Sequence, residues 1–448
     1  MNTAVAREPA AAVTPTREDA ARTYRKITWR IVPFLLLCYI VSYLDRVNLS
    51  FAKLQFMQDL GFTDAVYGLG GGLFYLAYVL FEVPSNLYLQ RVGARATLLR
   101  IMTLWGTVTV LMCLITTPTH LYIARCLLGA AEAGFFPGVI LYLTYWFPSR
   151  YRARIMSIFL MGIPVSGWIG GPLAGWIMHD LSGLHGLRGW QLLFIYEGLP
   201  AIALGITAYF FLTNGVAQAK WLSDSEKAIV LADVQAEHVS KSESGGGSLR
   251  MLFRDPRFYA AVFAYFSITC ATVAMSLWVP TLIKGLAVND LRTIGWLSAV
   301  PYVAATVGLW AIGRHSDYRL ERRYHVAVSL VASAVGFILL GFTGGSVGWT
   351  IALLALAATG LYGAIPVFWA IPTSYLSRSN APGGIALISS LGCLGGFLST
   401  AIIGWVKSLT GSLDVAMGAV GLLMIVASAG LLVAFPARLI QPVRTDAS

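Results

Sequence analysis

About twelve stretches of largely apolar residues, each near or above the roughly 20 needed to cross a bilayer as a helix, succeed one another along this chain. They run over 29–50, 67–90, 97–117, 119–146, 154–178 and 191–213, then 257–283, 293–313, 325–343, 348–372, 383–407 and 413–436. Hydrocarbon offers no water to backbone N–H and C=O groups, so only helices or closed barrels span it. These segments are continuously apolar rather than alternating in short strands, which excludes a barrel. Composition agrees: 57% of the 448 residues are hydrophobic and 12% charged, with mean hydropathy +0.70. The expected fold is an all-α membrane protein.

The net charge of +11 suggests a nucleic-acid partner only if its distribution is ignored. With the N-terminus placed in the cytoplasm, the breaks on that side hold Arg91, Arg95 and Arg100, then Arg150, Arg152 and Arg154, the basic residues between Lys220 and Arg257, and Arg314, Arg319, Arg322 and Arg323. The opposite breaks hold only Lys53, Arg188, Lys284, Arg292 and Lys407. This is the positive-inside pattern, and it puts both termini in the cytoplasm of a plasma (inner) membrane. Residues 1–28 lack the apolar core of a signal peptide and read as a cytoplasmic tail. A polar stretch with Gly245, Gly246 and Gly247 separates two sets of six spans, so the expected division is 1–28 tail, 29–213 first bundle, 214–256 linker, 257–436 second bundle and 437–448 tail. Weak repetition crosses the linker, since Gly175-Trp176 ends the fifth span and Gly404-Trp405 the eleventh. Two six-helix halves suit a secondary transporter with its solute site between them near the midplane.

Four charges inside the first half sharpen that expectation. Asp45 and Arg46 lie in the first span, Arg125 and Glu132 in the fourth. Ionised groups in hydrocarbon cost several kcal/mol each and persist where they face one another, a ligand or a water-filled cavity. Asp45 comes late in a helix rising from the cytoplasm and Arg125 early in one descending, so both land about 10 Å below the outer boundary and are expected partners. Glu132 falls on Arg125's face two turns deeper, extending the chain of alternating charge. Arg46 points about 100° from Asp45 and is expected to be free for a ligand. A movable arginine beside buried carboxylates can switch them between holding and releasing a proton, and an arriving anion would compete for it. The plainer alternative for Asp45 and Arg125 is a static ion pair that fixes helix packing.

Segments that carry these charges resemble a known family. Tyr43-Leu44-Asp45-Arg46-Val47-Asn48, Phe81-Glu82-Val83-Pro84-Ser85-Asn86, the run Arg125 to Pro137, and Gly189-Trp190-Gln191 before Tyr196-Glu197-Gly198 are similar to the anion:cation symporter family within the major facilitator superfamily, over nearly the whole chain. The superfamily's loop motif is clear after the eighth span, as Gly313, Asp317 and Arg322, with a looser counterpart at Arg91, Gly93 and Arg95, where Asn86 and Gln90 replace the motif's glycine and aspartate. These are the expected gating loops. The resemblance implies proton-coupled uptake of a small organic carboxylate, such as tartrate, phthalate or hydroxyphenylacetate, by alternating access. It implies Asp45 and Glu132 as proton sites, Arg46 as anion ligand and Arg125 as the link between them, and Arg46 and Arg125 are together the expected anion-binding pair.

The spans of the second half carry no ionisable groups away from their ends, so they are expected to shape the pocket rather than move protons. Phe368 and Trp369, in the tenth span between Pro366 and Pro372, are the preferred aromatic candidates, with Ser389 nearby in sequence order and Tyr302, Tyr362 and Ser390 as further amphipathic positions. In the first half Tyr78 is a candidate for a hydroxyl reaching the anion, or else an ordinary buried tyrosine, and Glu82 reads as a helix-contact or gate residue. No metal or other cofactor is expected, because the histidines and five cysteines show no ligand spacing, and Gly68, Gly70, Gly71 and Gly72 open a membrane helix without a nucleotide-loop lysine. The partners expected are a small organic anion, protons and the lipid bilayer, with the protein a monomer and not an enzyme. The rival functions are a proton-coupled efflux antiporter, favoured by the glycine-rich fifth span, and a non-transporting solute sensor.

Overall fold

The computed structural model describes residues 17–242, 249–376 and 381–435. Residues 1–16, the glycine run 243–248 and the tail from 436 onward lie outside the described residues. Among those described there is no strand, and the α-helices are α1 (Arg17–Leu60), α2 (Asp64–Val92), α3 (Ala94–Leu111), α4 (Pro118–Glu132), α5 (Phe135–Thr144), α6 (Ser149–Leu160), α7 (Gly162–Asp180), α8 (Gly189–Phe211), α9 (Asp224–Ser242), α10 (Pro256–Lys284), α11 (Leu291–Arg319), α12 (Arg323–Leu339), α13 (Val347–Tyr375), α14 (Ala381–Thr410) and α15 (Asp414–Ala434). Twelve helical runs are long and apolar enough to cross a membrane, with α4 and α5 counted as one. The chain is therefore an all-α membrane protein of two six-helix bundles.

An even number of spans returns the chain to the side on which it began. Call that side, with α9 between the bundles, the terminal face, and the other the far face. Helix starts follow capping rules: Thr63, Thr117, Asp255, Asp290 and Ser346 each accept a backbone N–H of the following turn. α9 docks on the first bundle through Lys26–Glu226 at 2.8 Å and Tyr24 Oη donating to Asp233 Oδ2 at 2.9 Å.

Two boundaries differ from expectation for identifiable reasons. The first helix runs to Leu60 rather than residue 50 because its polar residues find partners instead of ending it. Lys53 pairs with Asp64 at 2.6 Å, and Gln55 Oε1 accepts Trp190 N–H at 3.0 Å. The fourth span breaks after Glu132, where Ala133 is extended and Gly134 takes φ +86°. A Cβ at Gly134 would lie 2.5 Å from Ser85 Oγ, so this left-handed turn is a site that only glycine fills without displacement.

The bundles meet along α7 with α11, α2 with α14, and α1 with α10. Small residues permit the approach, and they lie in the far halves of their helices. A Cβ at Gly171 would stand 2.5 Å from Gly295 O, one at Gly175 2.6 Å from Leu291 O, and one at Gly68 2.6 Å from Thr400 O. Polar ties reinforce this side: Tyr67 Oη donates to Leu277 O at 2.7 Å, Lys284 Nζ to Leu54 O at 2.7 Å, and Arg292 pairs with Asp180. Lys53 completes it, buried at 3% exposure with its ammonium 3.9 Å from the Trp278 ring centroid. Toward the terminal face the side chains of α2 at Leu80, Phe81, Val83 and Leu87 are exposed. Among the described residues, these ties between the bundles lie toward the far face.

Candidate functional site

Between the bundles lies a cavity of about 1190 Å³, counting its open mouth. Its wall is dominated by tyrosines from both halves, including Tyr43, Tyr75, Tyr78, Tyr265, Tyr302 and Tyr362, with Trp369, Ser389, Glu82 and Arg46. Arg46 is the one cation among the described residues that line it.

Helical geometry places that cation. Asp45 and Arg46 are neighbours about 100° apart on α1, so Asp45 turns into the first bundle, at 1% exposure, while Arg46 turns to the cavity. Arg46 is not free, contrary to expectation. Its Nη2 lies 2.7 Å and its Nε 2.9 Å from Glu132 Oε1, which also accepts Ser42 Oγ–H at 2.6 Å. The break after α4 leaves Glu132 as its last residue, fully buried, with Oε2 unpartnered. Arg46 also lies within 4.8 Å of the Tyr43 ring centroid and 5.3 Å of that of Tyr78.

The expected Asp45–Arg125 ion pair is not formed. Asp45 Oδ1 accepts from Asn48 Nδ2 at 2.9 Å and its Oδ2 has no partner. Arg125, at 1% exposure, has Nε and Nη1 unpartnered and packs 4.7 Å from the Phe74 centroid. Phe74 also faces Arg46, at 5.5 Å. Its bulk holds the two guanidinium groups apart and keeps Arg125 off the cavity wall, where direct anion binding was expected of it. The charge chain thus runs through Arg46 and Glu132, not through Arg125.

Of the remaining binding candidates, Tyr78, Trp369 and Ser389 line the cavity. Phe368 does not: one position along α13 turns it away, fully buried and stacked on Tyr265 with centroids 5.6 Å apart. It supports the wall from behind. Glu82, expected as a gate residue, lines the cavity with a buried, unpartnered Oε2.

The loop candidates sit on the terminal face. Gly93, at φ +89°, joins α2 to α3 beside Asn214, whose Oδ1 accepts the Arg95 N–H at 3.1 Å, while Arg95 Nε donates to Tyr209 O at 2.7 Å. Arg91 is exposed. In the second half Arg322 pairs with Asp317 at 2.5 Å and donates to Ser316 Oγ at 3.0 Å, and Gly313 has open space around its Cα. Ten residues apart, His315 and His325 meet at 2.8 Å across this turn, and the second ring nitrogen of His325 contacts Glu321 Oε2 at 2.7 Å. Among the described residues no group of three or more such side chains is arranged to hold a metal.

Two buried charges come into view only in the structure. Lys53 has the place of a loop residue in the sequence, and the continuation of α1 through it is what buries it. Glu197, at 5% exposure, belongs in the sequence to the Tyr196-Glu197-Gly198 motif, although a carboxylate in the middle of an apolar run is itself a signal.

Comparison with known proteins places this arrangement. The Major Facilitator Superfamily profile matches residues 35–400. A Pseudomonas putida protein provisionally named the metabolite transport protein NicT is 42% identical, over 93% of this chain and 95% of that one. An Agrobacterium vitis protein whose name proposes tartrate transport is 41% identical over 89% of this chain and 88% of its own, and a quinolone resistance transporter of Acinetobacter baumannii is 37% identical over 87% and 89%. A crystal structure of a bacterial homologue of the human lysosomal transporter Spinster, inward-facing and unoccupied, superposes with TM-score 0.73 at 18% identity over 93% of this chain and 98% of that one. Matched across most of its length and built as twelve spans around a central cavity, this chain belongs to the Major Facilitator Superfamily of secondary transporters.

Proposed function

We propose that this transporter takes up a small organic carboxylate together with protons. The observation that carries the reading is the Arg46–Glu132 pair: the cation lining the cavity is held by a buried carboxylate. A solute carboxylate entering the cavity competes with Glu132 for the same guanidinium, whose fork accepts a carboxylate in bidentate fashion. Once released, Glu132 faces an apolar interior, and an unpaired carboxylate there is stabilised by taking a proton. Anion and proton occupancy are thereby linked through Arg46, and the linkage is reciprocal. Tyr43, Tyr75 and Tyr78 offer hydroxyl donors around the guanidinium, and Trp369 and Ser389 offer contacts from the second bundle. With both termini cytoplasmic in the inner membrane, the terminal face is the cytoplasmic one. The two bundles, taken as 29–213 and 257–436 around the linker 214–256, then rock about this site, with Arg91, Gly93, Arg95, Gly313, Asp317 and Arg322 in the loops that close the cytoplasmic side.

The test is transport by the purified protein in liposomes, with an imposed inward proton gradient and a panel of labelled aromatic monocarboxylates, sugar acids and tartrate. Acid-driven accumulation that dissipates with a protonophore is expected. Gradient-driven export instead would replace this reading with the antiporter, which the 37% identity to a quinolone resistance transporter favours. Binding without flux would replace it with a sensor.

A further inference from the structure

On the side of α1 turned away from the cavity lies a second set of ionisable groups that the exchange at Arg46 does not use. Glu197 on α8 is buried at 5% exposure, and its Oε2 has no hydrogen-bond partner. Its polar neighbours are Asn48 and Asp45 of α1. Asn48 Nδ2 already donates to Asp45 Oδ1 at 2.9 Å, so the carboxamide stands between two carboxyl groups. Asp45 Oδ2 is unpartnered as well.

The other helices packed here add two charges, both from α4: Arg125, which faces Asp45 and has two unpartnered nitrogens, and Glu132, which faces Asp45 and Arg125 but is held by Arg46 at 2.7 Å. α3 supplies the Thr109 hydroxyl beside Asp45, and its arginines, Arg95 and Arg100, sit near its terminal end. α7 carries its ionisable groups, His179 and Asp180, at its far end. With Glu132 paired to Arg46, Asp45 and Glu197 are left to share the Arg125 guanidinium in a dry interior. Were both ionised, one negative charge would remain uncompensated there, which is strongly unfavourable in a medium that solvates no ion. Two acids so placed titrate as a unit and retain a proton between them. The chemistry of Asn48 fits that state, because a carboxamide has donors for a carboxylate and an acceptor for a carboxylic acid O–H. One N–H of Asn48 Nδ2 serves Asp45, and the second is available to Glu197.

We infer that Asp45 and Glu197 hold a single proton between them, with Asn48 bridging the two and Arg125 as countercharge, which makes Glu197 a further proton-holding residue of this transporter. The inference extends the proton role proposed for the first bundle, but its test needs no solute. Infrared spectra of the full chain in lipid bilayers are recorded across a pH titration in H₂O and D₂O, following the carbonyl stretch of protonated carboxylic acids. A band sensitive to deuteration is expected at neutral pH. It should vanish in Glu197→Gln and equally in Asp45→Asn, since the single carboxyl left is balanced by Arg125 and ionises. It should persist in Glu132→Gln. Survival of the band in either of the first two variants overturns the sharing. Should Glu197→Gln not fold, Asp45→Asn decides the same point, and Asn48→Leu adds another: removing the bridge should move the band's frequency, and an unmoved band sinks the proposal. Failure of acid-driven uptake alongside the expected spectra would sink the symport reading and leave the shared proton standing.

Discussion

Arg46 and Glu132 form an ion pair of 2.7 Å, and the proposed coupling rests on it. The pair is buried on one side only, since Glu132 is fully enclosed while Arg46 reaches the cavity. That asymmetry gives each residue a distinct expected phenotype. Glu132→Gln leaves a permanently neutral side chain in place of a carboxyl group, so gradient-driven accumulation should be abolished while solute exchange in the absence of a gradient survives in part. Equal loss of both would place Glu132 in folding or binding rather than coupling. Arg46→Lys keeps the charge but removes the planar fork. Loss of one charge-assisted hydrogen bond, worth about 1.5–3 kcal/mol, predicts roughly ten- to a hundredfold weaker solute binding by calorimetry or competition. Affinity unchanged in that variant would take Arg46 out of the solute site.

At the scale of the element, the broken fourth span is what aims Glu132. A continuous helix would carry the chain straight on past Glu132. The turn at Gly134 instead ends α4 at the carboxylate and restarts the chain as α5. Gly134→Ala should therefore cost about 1–2 kcal/mol from its left-handed backbone, with a further penalty from the Cβ that would sit 2.5 Å from Ser85 Oγ. A lower melting temperature in detergent, together with weakened proton coupling, is the expected outcome. A variant as stable and as well coupled as the parent would mean that the break does not position the site. The long first helix makes the same point in reverse, because Lys53 and Gln55 have the character of loop residues and stay helical only through the partners that α2 and α8 supply.

For the whole molecule, the glycine contacts of the far face set which side of the cavity is open. Gly171→Leu would place a branched side chain against Gly295, where even a Cβ stands 2.5 Å from the carbonyl oxygen. The far face should part, and population should move toward a state open on that side. Cys393 lines the cavity. In a background retaining it alone, a membrane-impermeant thiol reagent is expected to react from the terminal face in the parent and from the far face in Gly171→Leu; unchanged sidedness would show that these contacts do not bias the equilibrium. What the sequence by itself determined is the architecture: continuous apolar runs must become helices because lipid satisfies no backbone group, and charges kept within them must face inward. It also singled out Asp45, Arg46, Arg125 and Glu132 as charges kept within those runs. Only the tertiary structure decided their pairing. A helical wheel gives direction and depth to within a turn, whereas an ion pair is made or missed over about 1–2 Å, and here the Phe74 ring and the turn at Gly134 settle that distance in favour of Arg46 with Glu132. Glu197 became visible as a neighbour of Asp45 for the same reason, since α1 and α8 meet only once the bundle has closed around them.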